Sequence, residues 1–295
     1  MKLRNIITTA IIFVASVNAF AQNVITVKAN KVSKPLVEAW AKAYTEQNPG
    51  VEIQVVGKNA KDADLTLVTS ADENATIVGR YAILPITSSS NPLISELQKK
   101  DWSKSDLKKL YFSSLDEDID EDDEANSGKA GKLREKLTVY SGANSTSASG
   151  IFAKHFGFQT SEIRGNKISG DDLYLLNAIE EDKQSITFNN VAYLYDTNTR
   201  TLKSNLTILP LNLKSEQEKV LQSGNLDETI KLLEAEKSDL IPVENFGFTY
   251  NTLNQKAQLF LEWVVSDGQQ YNNQKGFLRL SDKEAQQQLK VLAAK

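Results

Sequence analysis

Between residues 24 and 86 short runs of β-branched and aliphatic residues alternate with one amphipathic stretch, and few folds accommodate that order. Segments 24–27, 51–56, 63–68 and 82–86 are predicted strands. Between the first two, segment 35–45 sets Leu36, Val37, Trp40, Ala41 and Tyr44 on one helical face. A β-α-β-β order predicts an open α/β lobe with a mainly parallel sheet, because helical crossovers return the chain to run alongside itself.

The remaining chain continues in mixed α/β style. Segments 91–100 and 103–112 read as helices, the second opened by Ser103 and Asp106 at near capping-box spacing. The acidic run 116–124 lacks the central glycine and the terminal acid of a calcium loop, so a solvated loop is expected. Further strands are predicted at 137–140, 185–188, 191–195, 206–209, 240–243 and 246–250. Further helices are predicted at 151–156, 171–181, 227–237 and 256–267, the last stopped by Gly268. A final helix begins with a capping box at Ser281 and Glu284 and turns Ala285, Leu289 and Leu292 inward. There is no internal repeat and no Pro/Gly linker, so two lobes woven together are expected rather than two domains in series.

The N-terminus carries Lys2 and Arg4, then an apolar run, then Asn18-Ala-Phe-Ala21. This is the pattern of a secretory signal peptide, with cleavage expected after Ala21 and a periplasmic location. The apolar run is short and broken by polar residues, which disfavours a membrane anchor. Hydrophobic residues make up 40% of the chain, enough for packed cores, and with no cysteine those cores hold without disulfides. Loss of Lys2 and Arg4 would take the formal charge from −4 to −6, which argues against non-specific nucleic-acid binding.

One stretch points to a ligand. Residues 137–152 read as a strand, a turn rich in small hydroxylic residues, and a helix. The turn holds Ser145, Thr146, Ser147 and Ser149 between Gly142 and Gly150. Helix starts leave N–H groups unpaired and carry partial positive charge, so such a corner suits an oxyanion. Capping is the ordinary role of hydroxyls at this position and competes with ligand binding. The chain's one histidine, His155, has no nucleophile–base–orienter set around it in sequence, and no enzymatic activity, metal or cofactor is expected.

Four stretches fall into a shared pattern. They are Thr26 through the polar turn to Trp40 and Tyr44; Leu84-Pro-Ile86 with Asn91-Pro-Leu93; Ser145-Thr-Ser-Ala-Ser-Gly-Ile-Phe152; and the tail. The tail reads Phe260-Leu-Glu-Trp-Val264, Asp267-Gly-Gln269, Tyr271, then Gly276-Phe-Leu-Arg-Leu280. In these the chain resembles the periplasmic phosphate-binding-protein family, the substrate-binding component of phosphate ABC importers. The resemblance implies a two-lobed α/β, type II periplasmic-binding-protein fold with a cleft between lobes. Residues 23–84 and 243–295 would form one lobe and 85–242 the other.

It also implies a monomer that captures phosphate or a related oxyanion and meets the membrane subunits of an ABC importer. Mapped on the family's pattern, the ligand-binding candidates are Asn30, Lys31, Thr69, Ser70, Ser145, Thr146 and Ser147. The chain departs from that pattern in several ways, among them a loop shortened to Gly57-Lys-Asn-Ala60 and Asn30 and Lys31 where serine and threonine are usual. Tyr140-Ser-Gly-Ala-Asn144, just before the hydroxyl-rich turn, holds no arginine where one is usual, and Thr69-Ser70 stands where an aspartate is usual. A bidentate charge-assisted contact is thereby missing. The alternative is an envelope binding protein that keeps the scaffold but takes a different ligand or partner.

Overall fold

The computed structural model describes residues 24–57, 59–71, 74–113, 124–144 and 148–294. The signal segment, most of the acidic run and Ser145, Thr146 and Ser147 lie outside the described residues.

The architecture is α/β around one mixed sheet of nine strands. Its first half holds β1 (Val24–Ala29), β2 (Glu52–Gly57) and β3 (Leu65–Val68), with β1 parallel to both neighbours. Alternation in β1 buries Ile25, Val27 and Ala29 on one face, where α1 (Lys34–Gln47) buries Leu36, Val37, Trp40 and Tyr44. The second half holds β5 (Thr138–Gly142), β6 (Asn166–Ile168) and β7 (Ser185–Asn190), again with β5 parallel to both neighbours.

The two halves are joined by β4 (Thr76–Ser88), a strand of 13 residues. Its first part pairs antiparallel with β11 (Val243–Thr249), and its second with β7 and β10 (Leu206–Ile208). In the first half β1, β2 and β3 run parallel as expected, while the sheet as a whole is mixed, because the strands that join the halves run against their neighbours. At the β11–β4 contact the register shifts between Phe246 and Gly247. A Cβ on Gly247 would stand 2.5 Å from the Thr76 carbonyl oxygen, so the close approach depends on glycine.

Each half has its own aromatic core. In the first, Trp40 packs on Phe246 and Phe248, and Tyr44 meets Phe260 and Trp263 edge-on. In the second, Phe152 stacks on Phe188 with ring centroids 4.0 Å apart, and Phe112 stacks on Phe158 at 4.1 Å.

Several expected elements differ. Of segment 191–195 only Tyr195 is in a strand, and 191–194 are helical. Asn190 ends β7 and caps the short helix α7 (Val191–Leu194), its side-chain oxygen accepting the Ala192 N–H at 2.9 Å. Residues 240–242 form a turn rather than a strand, with the Pro242 carbonyl accepting the Ile83 N–H. The helix at 256–267 stops at Val265, and Gly268 lies in the 3₁₀ turn that follows, its carbonyl accepting the Trp40 indole N–H at 2.9 Å. Strand β6, α4 (Glu124–Lys136) and α8 (Ser215–Gln222) carry no clear sequence signal; α8 buries only Leu221.

Candidate functional site

Parallel strands deliver their carboxyl ends, and the loops that follow them, to one edge of a sheet, and ligands of open α/β proteins bind there. Strands β1, β3, β5, β6 and β7 all end around one cavity of about 560 Å³ between the two halves. That volume suits a small organic ligand. Tyr81, Phe246 and Phe277 contribute to its floor.

The first half supplies the turn after β1. Asn30 folds this turn itself: its Oδ1 accepts the Ser33 N–H at 3.0 Å and the Ser33 hydroxyl at 2.7 Å, and its carbonyl accepts the Lys34 N–H. The amide oxygen is thus committed, and the NH2 of Asn30, a lining residue, has no hydrogen-bond partner among the described residues. Pro35 then starts α1 with its φ already set for a helix. Lys31 is exposed on the cavity rim, and its Nζ lies 5.6 Å from the centroid of the Tyr174 ring on the opposite half. Thr69 lines the cavity, and its carbonyl accepts the Tyr81 phenol. Burial pushes the Tyr81 hydroxyl well above the usual phenol range, so it stays a donor. Ser70 is exposed and outside the lining. Asn30, Lys31 and Thr69 are therefore brought together and Ser70 is not.

The second half presents acids. The turn Gly170-Asp171-Asp172 leads into α6 (Leu173–Glu181) and lines the cavity. Gly170 adopts φ 114°, and a Cβ there would press 2.7 Å from the Tyr174 ring. Asp171 Oδ1 accepts the Tyr193 hydroxyl and the Leu173 N–H, each at 2.9 Å. Asp172 Oδ2 accepts the N–H of Ala148, the first residue of α5 (Ala148–Phe156), at 3.0 Å. Burial raises the Asp172 carboxyl to about 6; the Ala148 N–H opposes this and the Asp171 charge adds to it. Burial and the bond to Asp171 both raise the Tyr193 phenol.

This changes the reading of the hydroxyl-rich turn. One of its described helix-start N–H groups, that of Ala148, is already held by a carboxylate of the protein itself. Ser149 is fully buried, and its Oγ accepts the Gly142 N–H at 2.6 Å, so its hydroxyl serves its own strand end. Ser145, Thr146 and Ser147 lie outside the described residues. No arginine is among the described residues of the lining.

Sequence reasoning missed Asp171, Asp172, Tyr81, Tyr174 and Tyr193. The available signal was a glycine followed by two acids directly before a helix, which reads equally well as an ordinary helix start. His155 lies away from the cavity lining, its Nε2 2.8 Å from the Asp239 carbonyl oxygen.

No protein-family model matches the chain, and no curated protein matches it significantly. Solved structures do. A Clostridium perfringens structure with bound phosphate, assigned to the substrate-binding proteins of phosphate ABC transporters, aligns over 88% of this chain and 100% of its own, with 14% identity and a TM-score of 0.58. An ABC-type phosphate transport receptor from Vibrio cholerae aligns over 87% of this chain and 100% of its own, with 10% identity and a TM-score of 0.54. PstS from Borrelia burgdorferi aligns over 88% and 99%, with 12% identity and a TM-score of 0.51. At these identities the likeness establishes architecture: the chain has the two-lobed type II periplasmic-binding-protein fold.

Proposed function

We propose that this chain is an extracytoplasmic solute-binding protein that captures a small oxyanion-bearing ligand between its lobes and presents it to an ABC importer. One observation carries the reading: both halves send strand ends and loops into a single cavity. A ligand there touches both lobes at once, so it binds the closed state better than the open one and shifts the balance by that difference. The N-terminal pattern supports export, and the likeness to the phosphate-transport structures supports the importer partnership. The Asn30 amide and the Lys31 ammonium are the donors for an oxyanion. Catalysis is not part of this reading.

Titration calorimetry with phosphate, sulfate and organic phosphates tests it. Saturable heat from at least one of them, lost on Asn30→Ala combined with Lys31→Ala, is the expected result. Folded protein that gives no heat with any of them rules the reading out.

A second reading has its own support. Asp171 and Asp172 face the cavity without a charged partner among the described residues. Two carboxylates repel a fully deprotonated oxyanion. This favours a binding protein that kept the scaffold and changed its ligand.

A further inference from the structure

The cavity has two chemically opposed walls. On the first half, the Asn30 amide has spent its acceptor in its own turn and shows only N–H groups. Beside it the Lys31 ammonium makes no ion pair among the described residues and rests on an aromatic face instead. On the second half, Asp171 and Asp172 each use one carboxylate oxygen internally, on Tyr193 with Leu173 and on Ala148. The other oxygen of each has no partner among the described residues. An acceptor wall thus stands opposite a donor wall.

An inorganic oxyanion satisfies only one of these walls and confronts the other with like charge. It is also small for the space. Phosphate displaces on the order of 100 Å³, a few waters at about 30 Å³ each, whereas the cavity is about 560 Å³. Leu67, Phe246 and Phe277 add apolar surface that a bare ion leaves in contact with water.

We infer that the ligand of this cleft is a small organic zwitterion, held with its ammonium group against Asp171 and Asp172 and its oxyanion against the Asn30–Lys31 turn. The inference rests on the solute-binding reading and narrows its ligand. Each end of such a molecule neutralises the wall it meets, and its carbon body covers the apolar floor. Because the two walls belong to different halves, only the closed cleft makes both contacts together. The buried setting of Asp172 strengthens its preference for a cationic partner when ionised.

Three related probes separate the two contacts: phosphoethanolamine carries both ends, ethyl phosphate lacks the ammonium, and ethanolamine lacks the phosphate. Calorimetry near pH 7.5 is expected to show phosphoethanolamine binding at least about tenfold more tightly than either, the effect of one charge-assisted contact. Asp171→Asn and Asp172→Asn together keep an acceptor for Tyr193, Leu173 and Ala148 while removing the charge. They are expected to bring phosphoethanolamine and ethyl phosphate to within about threefold. Ethyl phosphate or inorganic phosphate binding as tightly as phosphoethanolamine in the unaltered protein overturns the zwitterion and leaves the solute-binding reading standing. Silence from these three probes and from inorganic phosphate and sulfate as well, with the protein folded, overturns both.

Discussion

Asp172 shows how one side chain can be set against its own fold. Its carboxyl is raised to about 6, first by burial, against the ordinary carboxylate value of 3.8. The folded chain therefore binds the proton more tightly than the unfolded chain does. The stability this contributes is fully present below the unfolded value and is lost as pH rises through about 6. Asp172→Asn keeps an oxygen for the Ala148 N–H and carries no charge. We expect the variant to melt above the unaltered protein near pH 8, with the gap closing as pH falls to about 4. Paired melting curves across that range decide it; a gap independent of pH would assign the effect to something other than the carboxylate.

Among elements, α3 (Lys104–Tyr111) is the clearest case of a helix written into the sequence and then tied down by packing. Ser103 and Asp106 form a capping box, with the Asp106 N–H donating to Ser103 Oγ at 3.2 Å. Asp106 also pairs at 3.0 Å with Lys100, and both are buried. These two roles differ in energy. Ser103→Ala removes a cap and costs about 1 kcal/mol. Asp106→Ala removes a cap and strands a buried ammonium, so a loss of about 3–5 kcal/mol is expected. Urea unfolding midpoints order the two variants. The spacing of Ser103 and Asp106 made the helix start readable, whereas Lys100 is an ordinary surface lysine until the chain folds. The segment after Asn190 shows the reverse. Its run Val191-Ala-Tyr-Leu-Tyr195 has strand composition, yet the Asn190 side chain caps a helical turn there. That turn brings Tyr193 back to Asp171 in the cavity.

Across the molecule, Lys31 and Tyr174 make a contact between the halves at the cavity rim. An exposed cation–π contact contributes about 0.5–1 kcal/mol, a few-fold in an open–closed equilibrium. Lys31→Ala or Tyr174→Ala should therefore raise the radius of gyration of the ligand-free protein in small-angle scattering. An unchanged radius in both variants would mean the contact does not hold the halves together. The three tryptophans are poorly sited to report closure, since none lines the cavity and Trp40 and Trp102 are fully buried. Tyr174, half exposed at the rim, is the better position for a label.

The fold class was legible along the chain because it rests on local periodicity. Alternation in β1, the apolar face of α1 and the caps at Ser103 and Ser281 each lie within a few residues of sequence. Asn30 and Lys31, which line the cavity, were reached only through the family resemblance, since a polar turn before Pro35 marks by itself no more than the end of a strand before a helix. The acidic wall was not legible. Asp171 and Asp172 acquire meaning from Tyr193, Ala148 and the Asn30–Lys31 turn, partners up to about 140 residues distant in sequence. Local pattern encodes which residues are buried and which turn the chain. Which charges come to face one another depends on β4, the strand that binds both halves and sets one loop cluster against the other.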